Sequence, residues 1–97
     1  MILSFGDAGS EDIFNRRDTK PARRACPASL WPVARRKLDQ LNAAVSLESL
    51  RVPPGNRLEA LRGDRAGEHS IRVNQEYRVC FVWTDAGTER VAVVDYH

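Results

Sequence analysis

The sequence predicts an α+β domain, in which two helices pack on one face of a small, twisted and mostly antiparallel sheet. A segment after Ser29 carries apolar residues at helical spacing. The chain beyond residue 56 alternates between apolar, strand-like runs and short turns. With 97 residues the chain is long enough for one hydrophobic core, so we expect a single domain over residues 1–97. The expected order of elements is β-α-α-β-β-β-β.

The first elements are expected to be a short strand and a short helix. Residues 2–5 read ILSF, an apolar and β-prone run that the turn-forming DAGS follows. A helix is expected to begin near Ser10, because Glu11 and Asp12 would lie at the positive end of its macrodipole. The next stretch, RRDTKPARRACP, contains two prolines and is expected to be a loop.

The second helix is expected over residues 29–44, with Ser29 as its N-cap and Pro32 in its first turn. One apolar stripe is formed by Leu30, Val33, Ala34, Leu38 and Leu41. The three basic residues at 35–37 are expected to point mostly away from that stripe. Residues 46–50 could add a last turn.

The segment RVPPGN ends the helical half, since paired prolines with a glycine continue neither a helix nor an interior strand. Four strand candidates follow, and they read RLEAL, HSIRV, YRVCFVW and RVAVVDY. Because only short turns separate them, we expect them to pair in sequence as an antiparallel meander.

Several classes of protein are excluded by composition and spacing. No apolar run approaches the roughly 18 residues of a membrane span, and the start MILSFGDAG lacks a signal-peptide pattern, so a cytoplasmic protein is expected. Cys26 and Cys80 lack metal-ligand spacing and are expected to be buried, idle thiols. His69 and His97 have no ligands at metal-site spacing, and no phosphate-cradling loop is present, so no metal or cofactor is expected.

Positive charge is concentrated between residues 16 and 37, where eight basic side chains accompany one acid, Asp18, for a net charge of +7. Such a stretch can attract phosphate backbones without regard to sequence, although a merely solvated surface is an alternative. The candidates for RNA or ribosome binding are Arg16, Arg17, Lys20, Arg23, Arg24, Arg35, Arg36 and Lys37, together with Arg65 further along the chain.

One arginine interrupts the most apolar strand candidate. Alternation places Tyr77, Val79, Phe81 and Trp83 on one face of that strand and Arg78 on the other. A guanidinium on an open sheet face can bind a phosphate through two parallel charge-assisted hydrogen bonds. Alternatively, Arg78 forms a structural salt bridge to Glu59, Glu76 or Asp95. Arg62 and Arg65 could add positive charge to the same cleft.

These residue types suit RNA cleavage by the RNA's own 2′-hydroxyl. That reaction needs a base for the 2′ proton, cations for the phosphorane charge, and an acid for the leaving 5′ oxygen. The terminal VVDYH supplies Asp95, Tyr96 and His97, which with Arg62 and Arg78 could fill those roles. DNA lacks the hydroxyl and would be spared.

The stretch PPGNRLEALRGDRAGEHSIRVNQEYRVCFVW and the terminal VVDYH resemble the HigB branch of the RelE-type toxins. The resemblance implies a RelE-like fold and cleavage of mRNA on translating ribosomes by an endoribonuclease, or mRNA interferase. It also implies a helix-turn-helix, HigA-like antitoxin from the same operon, through which alone operator DNA would be contacted.

By position, the resemblance carries site roles to Arg62, Arg78, Asp95, Tyr96 and His97. Glu59 stands where some relatives place a catalytic histidine, so the general base could be Glu59, Tyr96 or His97. Two other functions stay open: a nucleic-acid-binding module without catalysis, and a gyrase-poisoning toxin of the ParE type, which shares the fold.

Overall fold

The computed structural model describes residues 1–95, which form three α-helices and a four-stranded antiparallel sheet. The helices are α1 (Ala8–Phe14), α2 (Lys20–Ala25) and α3 (Trp31–Ala43). The strands are β1 (Glu59–Ala60), β2 (His69–Arg72), β3 (Tyr77–Thr84) and β4 (Gly87–Asp95). Neighbouring strands pair in the order β1-β2-β3-β4, so the α+β class and the antiparallel meander are confirmed.

The expected first strand, residues 2–5, forms only isolated contacts with β4. Ile2 and Thr88 form one parallel bridge and Phe5 and Val91 form another. Between these two bridges β4 contains a bulge, where Arg90 has a left-handed backbone with φ of 51°. Because the bulge interrupts the ladder, the N-terminal segment lies beside β4 without becoming a continuous strand.

The expected loop between residues 16 and 27 contains a further helix, so the expectation of two helices was wrong. The Thr19 hydroxyl accepts a hydrogen bond from the Ala22 backbone N–H at 3.1 Å and caps α2. Pro21 lies in the first turn, where its missing N–H has no intrahelical partner to lose. The fully buried Ala22 attaches α2 to the core.

Helix α1 connects α2 to the sheet. It begins at Ala8 and is capped by Asp7, slightly earlier than the expected start near Ser10. A Cβ atom on Gly9 would lie 2.2 Å from the Pro21 carbonyl oxygen, so the two helix backbones are in direct contact there. The buried Ser10 hydroxyl accepts a hydrogen bond from the Val93 backbone N–H at 2.9 Å. This contact fixes α1 against β4.

Helix α3 supplies the apolar stripe that the sequence predicts. Ala34, Leu38 and Leu41 are fully buried and belong to one cluster with Val79 and Phe81 of β3. The helix begins at residue 31 after a 3₁₀ turn over residues 28–30, and no side chain caps it, so the cap expected at position 29 is not formed. The expected last turn is a separate 3₁₀ turn over residues 48–51.

Cys26 and Cys80 are free and buried, as the sequence predicts. Burial raises the pKa of the Cys26 thiol to about 11 and also raises the pKa of Cys80. Within residues 1–95, none of the helices combines the length and the apolar character that crossing a membrane requires.

Candidate active site

The candidate site lies on the face of the sheet that the helices leave open. The register pairs Arg72 of β2 with Arg78 of β3, and Arg78 with Val94 of β4. Directly paired residues project to the same side of a sheet, so these three form one row across the open face. Val79, the residue after Arg78, projects to the other side and joins the core. The alternation predicted for β3 is therefore confirmed.

A cleft of about 430 Å³ opens on this face. Its lining consists of Arg57, Glu59, Arg72, Asn74, Gln75 and Arg78. Three guanidinium groups against one carboxylate leave a net charge of +2 around the cleft. Such a cleft favours an anionic ligand, and planar guanidinium groups suit the oxygen atoms of a phosphate.

Arg78 is buried at the base of this arrangement, with 8% of its surface exposed. Its Nε donates a hydrogen bond to the Ser70 hydroxyl at 2.7 Å, and its Nη2 donates to the Arg57 carbonyl oxygen at 2.6 Å. Both acceptors are neutral, so they orient the guanidinium without cancelling its charge.

The salt-bridge alternative for Arg78 was wrong for Glu59 and Glu76, since Arg78 forms no ion pair with either of them within residues 1–95. The third acid, Asp95, lies by register on the opposite face of the sheet from Arg78. A buried cation held by neutral acceptors keeps its attraction for an incoming anion. The Arg78 guanidinium is therefore able to attract an anion that enters the cleft.

The tip of the β2–β3 hairpin forms one wall of the cleft. The Asn74 side-chain oxygen accepts hydrogen bonds from the backbone N–H groups of Glu76, at 2.9 Å, and Tyr77, at 2.8 Å. This local turn fixes Asn74 and leaves Gln75 exposed at the cleft. Two amide side chains therefore lie beside the arginines.

The other predicted catalytic residues are placed differently. Glu59 lines the cleft, whereas Arg62 is exposed before a 3₁₀ turn and does not line it. Asp95 pairs with Tyr77, which packs against the core, so the register puts Asp95 on the opposite face from Arg78. Burial raises the pKa of Tyr77, and the nearby Asp95 charge raises it further. Tyr96 and His97 lie outside the described residues.

Much of the predicted basic surface is paired with acids. Arg16 contacts Asp39 at 2.7 Å, a residue outside the basic stretch. The other pairs are Arg17 with Asp12, Arg23 with Asp18, and Arg65 with Glu68. The stretch counted as +7 therefore presents less free charge than its sequence indicates. Arg65 does not line the cleft.

Two of the basic residues on α3 face inwards, so the expectation that residues 35–37 point mostly away from the apolar stripe was wrong. Arg35 donates to the Ile13 carbonyl oxygen at 3.0 Å and lies 5.4 Å above the Trp31 ring. Lys37 is 9% exposed and donates to the side-chain oxygen of Asn56. In the described chain, the basic residues of this stretch that are exposed and outside any ion pair are Lys20, Arg24 and Arg36.

Sequence reasoning missed four of the cleft residues: Arg57, Arg72, Asn74 and Gln75. Alternation could have found Arg72, because the short NQE turn pairs the strand HSIRV with the strand that carries Arg78. No local pattern indicates Arg57, which reaches the cleft from an irregular segment. Residues 1–95 contain no group of three or more His, Cys, Asp or Glu side chains able to hold a metal ion.

The profile of a family described as RelE-like toxin of type II toxin-antitoxin system HigB matches residues 3–97. Toxin HigB-1 of Vibrio cholerae is 44% identical over 85 residues, covering 88% of this chain and 86% of that protein. An uncharacterized protein of Haemophilus influenzae is 42% identical over 55 residues, covering 57% of this chain and 54% of that protein.

A chain of the solved YoeB–YefM complex from Staphylococcus aureus has the same fold. The TM-score is 0.60 at 15% sequence identity, and the match covers 100% of this chain and 98% of that chain. The profile match and the Vibrio relative, each spanning most of the sequence, confirm the resemblance seen in its motifs. The chain belongs to the HigB family of RelE-like toxins of type II toxin-antitoxin systems.

Proposed function

We propose that this toxin is an endoribonuclease that cleaves mRNA on translating ribosomes in the cytoplasm. The observation that carries the proposal is the buried Arg78 guanidinium, which lines an open, positively charged cleft and is held by neutral acceptors. Arg57 and Arg72 supply further positive charge at the same cleft. Membership of the RelE-like toxins favours an RNA substrate for such a site.

In the proposed reaction the 2′-hydroxyl oxygen of the RNA attacks the adjacent phosphorus. A P–O bond to that oxygen forms while the bond to the 5′ oxygen of the next nucleotide breaks, which leaves a 2′,3′-cyclic phosphate. Arg78 would bind the non-bridging oxygens, whose negative charge grows in the transition state. No step needs a metal ion or a water molecule.

Proton transfer requires a base near the 2′-hydroxyl and an acid near the leaving oxygen. Glu59 is the carboxylate that lines the cleft among the described residues, so it is a candidate base. Tyr96 and His97 are the other candidates, from their match to the family's site.

The toxin is proposed to be held inactive by a helix-turn-helix antitoxin from the same operon. Membership of a toxin-antitoxin family supports such a partner, and the structural relative was solved as a complex of YoeB with YefM. Any contact with operator DNA would then run through the antitoxin.

The test compares Arg78→Ala with wild type in a translating extract and on naked RNA. Removing a transition-state interaction of this kind should cost about 3 kcal/mol or more, so translated mRNA should be cut roughly 100-fold more slowly or worse. Arg51→Ala is the matched control, since Arg51 is an exposed arginine that is paired with Glu48 and is not among the residues that line the cleft. A wild-type rate for Arg78→Ala would contradict the proposed site. Equal wild-type rates on translated and naked RNA would contradict ribosome dependence.

A further inference from the structure

A buried polar cluster lies between α3 and the 3₁₀ turn of residues 54–56. At its centre, the Asn56 side chain is fully buried. Its oxygen accepts a hydrogen bond from Lys37 Nζ, and its nitrogen donates to the Gln40 side-chain oxygen at 3.2 Å and the Leu50 carbonyl oxygen at 3.1 Å. The Asn56 side chain therefore links α3 both to the turn of residues 54–56 and to the backbone at Leu50, in the segment that leads into the cleft.

Lys37 is an unusual donor for this position. Its side chain is 9% exposed, and no acid pairs with it among residues 1–95. Burial lowers its pKa, and the neighbouring positive charge of Arg36 lowers it further. An apolar side chain of similar length would avoid that cost, so stability alone gives little reason for a lysine here.

The residue after Asn56 connects the cluster to the cleft. Arg57 has a left-handed backbone, with φ of 46° and ψ of 58°, which an L-residue adopts only at some cost in energy. In that conformation its carbonyl oxygen accepts the 2.6 Å hydrogen bond from Arg78 Nη2, and its side chain lines the cleft. The backbone at Arg57 thus sets the direction of the Arg78 guanidinium.

We propose that Lys37 and Asn56 are positioning residues for Arg78, acting through the backbone of Arg57. The buried pair holds the turn of residues 54–56 against α3, which keeps the Arg57 carbonyl oxygen where Arg78 requires it. This inference rests on the proposed function, because Arg78 is taken to bind the reacting phosphate. It assigns to α3, on the far side of the sheet, a part in the geometry of the cleft.

The test is a double-mutant cycle with Lys37→Met, which keeps the apolar stem and removes the donor. The rate of mRNA cleavage on saturating programmed ribosomes should fall about 10-fold, because small displacements of a group that binds the transition state have large effects on rate. KM should change less than about twofold, since Lys37 is buried and its replacement leaves the exposed surface unaltered. When Arg78 is already replaced by lysine, Lys37→Met should lower the cleavage rate less than about twofold. The reason is that lysine lacks the planar guanidinium that the turn orients.

A second measurement does not depend on activity. In wild type the hydrogen on Arg78 Nε should exchange slowly with solvent by nuclear magnetic resonance, because it is buried and bonded to Ser70. Lys37→Met and Asn56→Ser should each speed this exchange. Ser49→Ala should not, since Ser49 is an exposed residue of the same segment whose side chain is bonded only to Ser46 in the described chain. Gln40→Ala is a milder variant in case the others unfold.

The outcomes separate the two proposals. Equal rate losses for Lys37→Met in the wild-type and Arg78→Lys backgrounds, or unchanged exchange at Arg78 Nε in folded variants, would overturn the positioning role. A wild-type cleavage rate for Arg78→Lys and Arg78→Ala alike would instead overturn the proposed function.

Discussion

Arg78 and Lys37 differ from the other basic side chains of the described chain because each is buried without an ion pair. Neutral oxygen atoms hold both: Ser70 and the Arg57 carbonyl for Arg78, and Asn56 for Lys37. Burying a charge without an opposite charge is costly, so it indicates a role beyond stability. The role that we propose is phosphate binding for Arg78 and placement of the neighbouring turn for Lys37.

The buried thiol of Cys26 should make stability depend on pH. Its pKa is raised from 9.0 to about 11 in the folded protein, so between these values the unfolded state binds fewer protons and stability falls as pH rises. Cys26→Ala should make that fall less steep, by up to about 1.4 kcal/mol per pH unit. Urea unfolding at several alkaline pH values, under a reductant, measures the slopes. Parallel slopes for the two proteins would contradict a buried, neutral thiol.

The direction in which a side chain points was predictable where it depends only on the alternation within one strand. The alternation in YRVCFVW is enough to separate Arg78 from the core-facing Val79. The inward position of Lys37 was not predictable, because it depends on Asn56, which lies 19 positions further along the chain. The pairing of Arg16 with Asp39 likewise needs the packing of α1 against α3.

Helix α2 shows how a short element depends on its surroundings. Six residues are too few for a stable isolated helix, so the Thr19 cap and the burial of Ala22 must support it. The sequence there has prolines and many charges, and it lacks the long apolar stripe that would mark a helix. Strands β2, β3 and β4 were easier to predict, since β-branched and aromatic runs with short turns between them mark each of these three.

The contact between α1 and α2 should be sensitive to a single methyl group. Gly9→Ala would place a Cβ atom 2.2 Å from the Pro21 carbonyl oxygen, which the two backbones can relieve only by moving apart. We expect a loss of about 1 to 3 kcal/mol in the free energy of unfolding, the range for overpacked sites. Gly55→Ala is the control, because a Cβ atom there meets nothing within 4 Å. Equal stabilities of both variants, measured in denaturant, would contradict this close approach.

The two faces of the sheet differ in what lies against them. The helices cover one face and form the core, while the other face keeps a cleft of about 430 Å³. The fold class, the antiparallel meander and the position of Arg78 within its strand were predictable from the sequence pattern. The complete lining of the cleft was not predictable, since Arg57 and Arg72 come from separate segments that meet only in the folded chain.

Ribosome binding should depend on the exposed cations outside ion pairs more than on the paired ones. Replacing Lys20, Arg24 and Arg36 together by glutamine should weaken binding and flatten its salt dependence. The log–log slope should change by about 0.7 to 0.9 for each RNA phosphate that the protein no longer neutralises. The matched variant replaces Arg16, Arg17 and Arg23, whose acids already neutralise them, and it should change the slope less. A larger change in slope for the variant of the paired arginines would show that the ion pairs open on binding.

The chemistry of the RNA ends tests the proposed reaction most directly. Messages cleaved by the wild-type protein in a translating extract would be isolated, and the 3′ end of each upstream fragment identified by mass spectrometry. Attack by the 2′-hydroxyl predicts a 2′,3′-cyclic phosphate, and Arg78→Ala should reduce the yield of that product. Upstream fragments that end in a 3′-hydroxyl would contradict the mechanism, and an absence of new RNA ends would favour a gyrase poison or a binding module.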